Sequence, residues 1–231
     1  MDKYLQKTKI LDFHSKAISD LVDQKGWRSL DQKNKIAKIY DYVQNDILFG
    51  YNKSDDIKAS EVLADGLGQC NTKSTLFMVL LRAAGVPCRF HGFAIHKKLQ
   101  KGLINGLAYF IAPKEIIHSW VEVYFNEKWY SLEGLILDDS YIRGLKSKFR
   151  NAKGAFCGFG VDVKDFDNLQ IKWNECDTFI QSEGIAKDYG IFDSPDNFYG
   201  THGANLKGIK KIIFQRLVSK IMNNNVKEIR V

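Results

Sequence analysis

The sequence predicts an α+β fold in which an apolar core helix packs on an antiparallel sheet, with helices before it and one more helix at the carboxyl end. Three observations carry this. Residues in the first sixty positions follow a helical period; residues 70–84 form an apolar helical stretch; residues 88–133 are crowded with aromatic and β-branched segments, the last two of which alternate.

In chain order, Ile36, Ile39, Tyr40, Val43 and Ile47 fall on one helix face, and Ser29 with Gln32 reads as a capping box ahead of them. Gly50, Asn52, Ser54 and two aspartates mark a loop, after which Ser60 is positioned to cap a short helical turn ending near Gly66. The stretch CNTKSTLFMVLLRAA starts at Cys70 and is stopped by Gly85 and Pro87. A run as apolar as LFMVLL inside a helix implies burial on more than one side. Four strands are expected next, CRFHGFAI, LAYFIA, HSWVEVYF and KWYSLE. Beyond Gly134 the pattern weakens to strand-like GFGVDV and LQIKW and a turn-rich IFDSPDNFYGTHG, to which no role is assigned.

A chain of 231 residues with 45% hydrophobic content can bury one sizeable core. Its 26% charged residues are of mixed sign, it has three prolines, and it shows no repeat or low-complexity tract, which excludes a disordered chain. One domain over residues 1–205 followed by a tail over 206–231 is the expected division. Charges interrupt every apolar stretch of the amino terminus, so no secretory leader is read there. The longest apolar run, Leu76 to Leu81, is too short to span a membrane. A cytoplasmic protein is expected, and its widely spaced cysteines, Cys70, Cys88, Cys157 and Cys176, read as free thiols.

Most of the net charge of +7 lies in the tail, where seven basic residues from Lys207 onward face one acid, Glu228. Ile209, Ile213, Leu217 and Ile221 recur every four residues there, giving a basic amphipathic helix expected to dock its apolar stripe on the domain. Contact with an acidic partner or surface is the other reading of its lysines. No specific nucleic acid is expected, and sequence-independent stacking on single strands is disfavoured because no aromatic residue is interleaved with the lysines beyond Phe214.

The chemistry centres on Cys70. A cysteine in the first turn of a helix meets unsatisfied backbone N–H groups and the positive end of the helix dipole, which favour the thiolate. The same N–H groups can hold an oxyanion when sulfur attacks a carbonyl. Glycines 66 and 68 let the backbone approach closely. By itself, a cysteine opening a buried helix is more often structural.

The segment HSWVEVYFNEKWYSLE reads as a hairpin turning at Asn126 and Glu127. If Phe125 faces Lys128, Trp120 faces Glu133, and His118 lies two residues along on the same face. His118 and Glu133 are then diagonal neighbours, roughly 7–8 Å apart at the backbone, a span that imidazole and carboxylate can close. A carboxylate on one imidazole nitrogen and a thiol near the other make a nucleophile, a base and an orienter. A core histidine satisfied by a glutamate is the plain structural alternative.

GLGQCNTKSTLFMVLLRAAGVPCR followed by HSWVEVYFNEKWYSLEG resembles the transglutaminase-like superfamily, and IYDYVQNDILFGY and ASEVLADG resemble its lead-in, so the likeness covers roughly residues 35–137. The resemblance implies a papain-like cysteine proteinase fold with its core at 35–137. It assigns Cys70 as nucleophile, His118 as general base and then acid, and Glu133 as the orienting carboxylate. Glutamate stands where the superfamily commonly has aspartate, which adds a methylene. Tyr51 and Gln69 are candidate oxyanion or substrate contacts, with packing as their alternative role. Trp120 and Trp129 read as hairpin packing.

The implied activity is acyl transfer from an amide or peptide substrate through a thioester, with hydrolysis preferred over transfer to an amine. Protein-glutamine transglutaminase activity and a non-catalytic peptide-binding module on the same fold remain alternatives. No cofactor and no metal are expected. The spacing of Cys88, His91 and His96 invites a metal reading, but no arrangement of turn and strand brings three ligands together.

Overall fold

A computed structural model describes residues 1–205 and 217–230. Helices α1 (Lys16–Gln24) and α2 (Gln32–Asn45) come first. Helix α2 buries Ile36, Ile39, Tyr40 and Val43, the face its periodicity predicts. Its cap is Asp31, which accepts the Asn34 N–H at 2.9 Å. Ser29, expected in that role, instead donates to Gly26 O at 2.8 Å.

Strand β1 (Leu48–Phe49), helix α3 (Ala59–Asp65) and strand β2 (Leu67–Gly68) follow. Helix α3 ends at Gly66 in the left-handed region, φ 63°, as expected, but Ser60 does not cap it and donates to Asp12 at 2.5 Å. β1 and β2 pair in parallel, bringing residues 48–49 beside the approach to Cys70. Helix α4 (Cys70–Ala83) is buried along nearly its whole length, polar residues included. Lys73 Nζ, fully buried, donates to Gln44 O at 3.1 Å and Ile47 O at 2.8 Å, capping the carboxyl end of α2.

Then come β3 (Cys88–His96), α5 (Gly106–Ile111), β4 (Glu115–Phe125), β5 (Lys128–Leu132), α6 (Asp139–Lys148), β6 (Phe156–Gly158), β7 (Val161–Val163), β8 (Ile185–Phe192), α7 (Pro195–His202) and α8 (Ser219–Ile229). The main sheet has the order β5-β4-β3-β8, with every neighbour antiparallel. Leu76 to Leu81 of α4 join Val121, Val123 and Phe125 of β4 in one core, so this is the α+β, helix-on-antiparallel-sheet architecture that the sequence predicts.

Several local expectations are corrected. LAYFIA is not a strand: it lies in α5, because β4 and β8 already occupy both sides of β3. Lys97 Nζ closes that helix by donating to the carbonyls of Tyr109, Phe110 and Ala112 at 2.9–3.2 Å. GFGVDV forms the small β6-β7 pair, while LQIKW is irregular, with Ile171 O accepting from the Tyr40 hydroxyl at 2.7 Å. The turn-rich segment holds the end of β8 and α7, a helix that Ser194 caps with Pro195 in its first turn.

In the tail, α8 does dock on the domain, but not through the predicted stripe. Met222, Val226 and Ile229 are buried, whereas Leu217 and Ile221 are 62% and 52% exposed; Ile209 and Ile213 lie outside the described residues. Polar latches fix the register. Asn223 pairs with both backbone groups of Tyr51 at 2.7 and 3.0 Å, and Arg230 reaches Asp138 at 2.7 Å. Among the described residues no helix is long and apolar enough to cross a membrane.

Candidate active site

The start of α4 is built by its approach. A Cβ on Gly68 would lie 2.8 Å from Thr72 Oγ1 and 2.9 Å from Lys73 Cγ, so only glycine lets the chain cross the first turn this closely. Gln69, the residue before the helix, donates its backbone N–H to Thr72 Oγ1 at 3.0 Å. Its side chain accepts the Asn52 N–H at 3.0 Å and donates to Asp55 at 3.2 Å, tying the 52–55 loop to the helix start. Gln69 is thus beside the site with its amide engaged.

Asn71 joins this helix start to β4. Its Nδ2 donates to Asp55 Oδ1 at 2.9 Å and to Ile117 O at 3.0 Å, and its Oδ1 accepts from Ser119 Oγ at 3.0 Å. Ser74 Oγ adds a bond to Ser119 O at 3.1 Å. The helix is therefore fastened to the strand on both sides of His118. Cys70, at the first position of α4, has the N–H groups of Asn71 and Ser119 within reach of its sulfur.

His118 and Glu133 are both fully buried, with Nε2 of the imidazole 2.6 Å from Oε1 of the carboxylate. The hairpin register holds as predicted from Phe125↔Lys128 to Val121↔Leu132, and Asn126 and Glu127 turn it with φ 46° and 61°. The ladder then stops one pair short of Trp120 and Glu133. Glu133 leaves the strand because its N–H donates to Thr178 O at 2.9 Å. Its Oε2 accepts the N–H groups of Ile180 at 2.7 Å and Gln181 at 2.9 Å, so both carboxylate oxygens are held. His118 Nδ1 is buried with no hydrogen-bond partner among the described residues.

Two effects oppose the helix start at Cys70. Burial pushes the Cys70 thiol well above the ordinary thiol range, and the Asp55 and Glu133 carboxylates add to this. The N–H groups of Asn71 and Ser119 pull the other way without offsetting it.

Cys70 opens on a cavity of about 310 Å³. Tyr51 lines it, and burial, with Tyr141 and Cys70 nearby, holds its phenol well above the usual range and so keeps it a hydrogen-bond donor. Trp120 packs against Phe93 at 3.9 Å between ring centroids with the planes tilted by 36°, and Trp129 lies under the Arg89 guanidinium at 4.1 Å. Both tryptophans pack within the sheet. The three residues of the metal reading diverge: Cys88 is in the core, His91 is held by Glu122 and Asp188 at 2.7 and 2.9 Å, and His96 is exposed. Among the described residues no group of three or more His, Cys, Asp or Glu could hold a metal ion.

Sequence reasoning missed the 178–181 segment, whose contribution to Glu133 is made by backbone N–H groups. It also missed Asn71, and Met222 and Val218, which form part of the cavity wall. Asn71 carried no signal of its own, since Thr72, Lys73, Ser74 and Thr75 follow it as equally polar residues of the first turns.

Fold and site together define a class of domain: a buried helix opening on a cysteine, fastened to an antiparallel strand that carries a histidine paired with a carboxylate. Residues 20–134 match the profile of the transglutaminase-like superfamily. A protein called Uncharacterized protein YebA, from Bacillus subtilis (strain 168), is 32% identical over 110 residues, which is 43% of this chain and 15% of YebA. The fold is also similar to a candidate cysteine protease from Cytophaga hutchinsonii, with 13% identity, a TM-score of 0.46 and coverage of 87% of this chain and 48% of the other. A candidate protease from Parabacteroides distasonis gives 21% identity, a TM-score of 0.35 and coverage of 57% and 24%. The chain thus spans less than half the length of each of these three proteins.

Proposed function

We propose that the protein is a cysteine-dependent acyl-transfer enzyme that opens an amide or peptide bond through a thioester and passes the acyl group to water. The observation that carries this reading is the divided imidazole of His118, with Nε2 on Glu133 at 2.6 Å and Nδ1 buried and unpartnered on the strand fastened to the Cys70 helix start.

In the first step Cys70 sulfur attacks the carbonyl carbon while its proton passes to His118 Nδ1. Glu133 holds the imidazolium that forms. The carbonyl oxygen takes the negative charge and is met by N–H groups at the start of α4, with the Tyr51 hydroxyl as a further donor. Collapse breaks the carbon–nitrogen bond, the leaving amine takes the proton from His118, and a thioester to Cys70 remains. Water then attacks the thioester with His118 as base, releasing the carboxylic acid and the thiol. Burial holds the Cys70 thiol up, which favours proton transfer to His118 at the moment of attack.

The test is alkylation of Cys70 by iodoacetamide across pH 6–9, followed by mass spectrometry beside Cys88, Cys157 and Cys176. His118→Ala is expected to slow Cys70 alone. Equal effects on all four cysteines, or none on Cys70, would remove the reading. Incubation of an amide library with and without a primary amine separates the outcomes of the second step. Acid products support hydrolysis, and amine adducts in excess would replace it with transfer.

A further inference from the structure

We propose that the acyl donor carries an uncharged, apolar side chain, which fills the cavity beside Cys70 and is selected by walls from α5 and α8. The inference rests on the acyl-transfer reading and names its substrate class.

The cavity holds the sulfur and has mostly apolar walls, among them Phe49, Ile95, Leu99, Ile104, Ile116 and Met222. Its volume of about 310 Å³ is at the low end of small-ligand sites, room for one large side chain or a short aliphatic chain. Two charged residues line it, and both already have partners. Asp55 accepts from Gln69, Asn71 and Asn205 at 2.9–3.2 Å, and Lys53 pairs with Glu61 at 2.5 Å. A charged side chain entering here would give up its hydration against mostly apolar walls.

The mouth continues the same character. Ile111 lines the cavity and is 71% exposed, with Phe110 beside it at 79%. On the other flank Leu217 and Ile221 are exposed next to Val218 and Met222, which line the interior. Four of the seven large hydrophobic residues exposed among the described residues thus cluster on or beside these two helices, where an apolar substrate would enter. Met222 sets the depth of the chamber, and Ile111 its rim.

The experiment uses the full chain and three reagents of equal warhead: iodoacetamide, N-butyl-iodoacetamide and N-iodoacetyl-β-alanine. A buried methylene is worth roughly fourfold in rate or affinity. The butyl reagent is therefore expected to label Cys70 at least tenfold faster than the β-alanine reagent, with near-equal labelling of exposed Cys157 and Cys176. Ile111→Glu, at an exposed position, and Met222→Glu are each expected to cut the ratio of butyl-reagent to iodoacetamide labelling threefold or more. Met222→Leu should preserve the advantage. His118-dependent labelling without a butyl advantage would overturn this inference and leave the acyl-transfer reading standing. A butyl advantage that survives both glutamate variants would overturn the assignment of the walls. A butyl advantage with no dependence on His118 would keep the chamber and remove the enzyme reading.

Discussion

Glu133→Gln tests the site through its geometry. The carboxylate is held at both oxygens, by His118 on one side and by the N–H groups of Ile180 and Gln181 on the other. An amide in its place keeps the two backbone donors satisfied only with its oxygen toward them, which turns its NH₂ toward His118 Nε2. The imidazole must then accept at Nε2 and carry its proton on Nδ1, the nitrogen needed as base. Restoring the useful tautomer means turning the amide around and setting its NH₂ against two buried N–H groups. Each unmet buried donor costs about 1–3 kcal/mol, so the detour costs roughly 2–6 kcal/mol, a rate loss of roughly 30-fold to 10⁴-fold. The assay is the alkylation rate of Cys70, read beside the His118 tautomer by nitrogen NMR. Wild-type protein should show the proton on Nε2, and the variant should show it on Nδ1. Wild-type alkylation with the proton moved to Nδ1, or slow alkylation with the tautomer unchanged, would refute the reasoning.

Three further outcomes follow from the same contacts. Asn71→Ala removes the bonds to Ile117 O and Ser119 Oγ and is expected to cost about 1–3 kcal/mol of stability and to slow Cys70 alkylation about tenfold or more, measured by urea unfolding and labelling. Arg230→Ala leaves Asp138 buried and unpaired. Burial raises that carboxyl, but Arg230, Ser140 and the Phe49 N–H outweigh it and hold it down to about 2, so a loss of about 3–5 kcal/mol at pH 7 is expected in denaturant unfolding. Lys73→Met isolates a pH effect. Burial lowers the Lys73 amine to about 7 from 10.5, so between these values the unfolded chain binds the proton that the folded chain has released. Wild-type stability should therefore rise relative to the variant by about 2 kcal/mol from pH 7 to pH 9 in urea unfolding, and parallel curves would refute it.

The legible parts of the fold and site were those written in side chains at short range. The 3.6-residue period exposed the buried face of α2, and the apolar run at 76–81 marked α4 as the core helix. Hairpin parity put His118 and Glu133 together without reference to any relative, although Glu133 meets His118 from just beyond the strand rather than within it. The remainder depended on competition between distant segments. LAYFIA has strand chemistry, yet the sheet positions it would need are filled by β4 and by β8, a strand with Gly190 at φ 84° and two charged residues, Lys187 and Asp188, that local pattern does not single out. In the tail, a four-residue spacing pointed to Leu217 and Ile221, but Asn223 on Tyr51 and Arg230 on Asp138 set the rotation and bury Met222 and Val226 instead. At Cys70 the helix-start N–H groups and dipole favour the thiolate, while desolvation opposes it and depends on how deeply the whole molecule covers the sulfur, which local sequence does not show.

The Asn71 bridge has a kinetic consequence. It grips the strand on either side of His118 while belonging to the same helical turn as Cys70, so it ties the two elements of the proposed site together. On the acyl-transfer reading, substrate entry then falls to the walls, α5 and α8, rather than to separation of Cys70 from His118, and substitutions at Ile111 or Met222 alter how fast a molecule arrives.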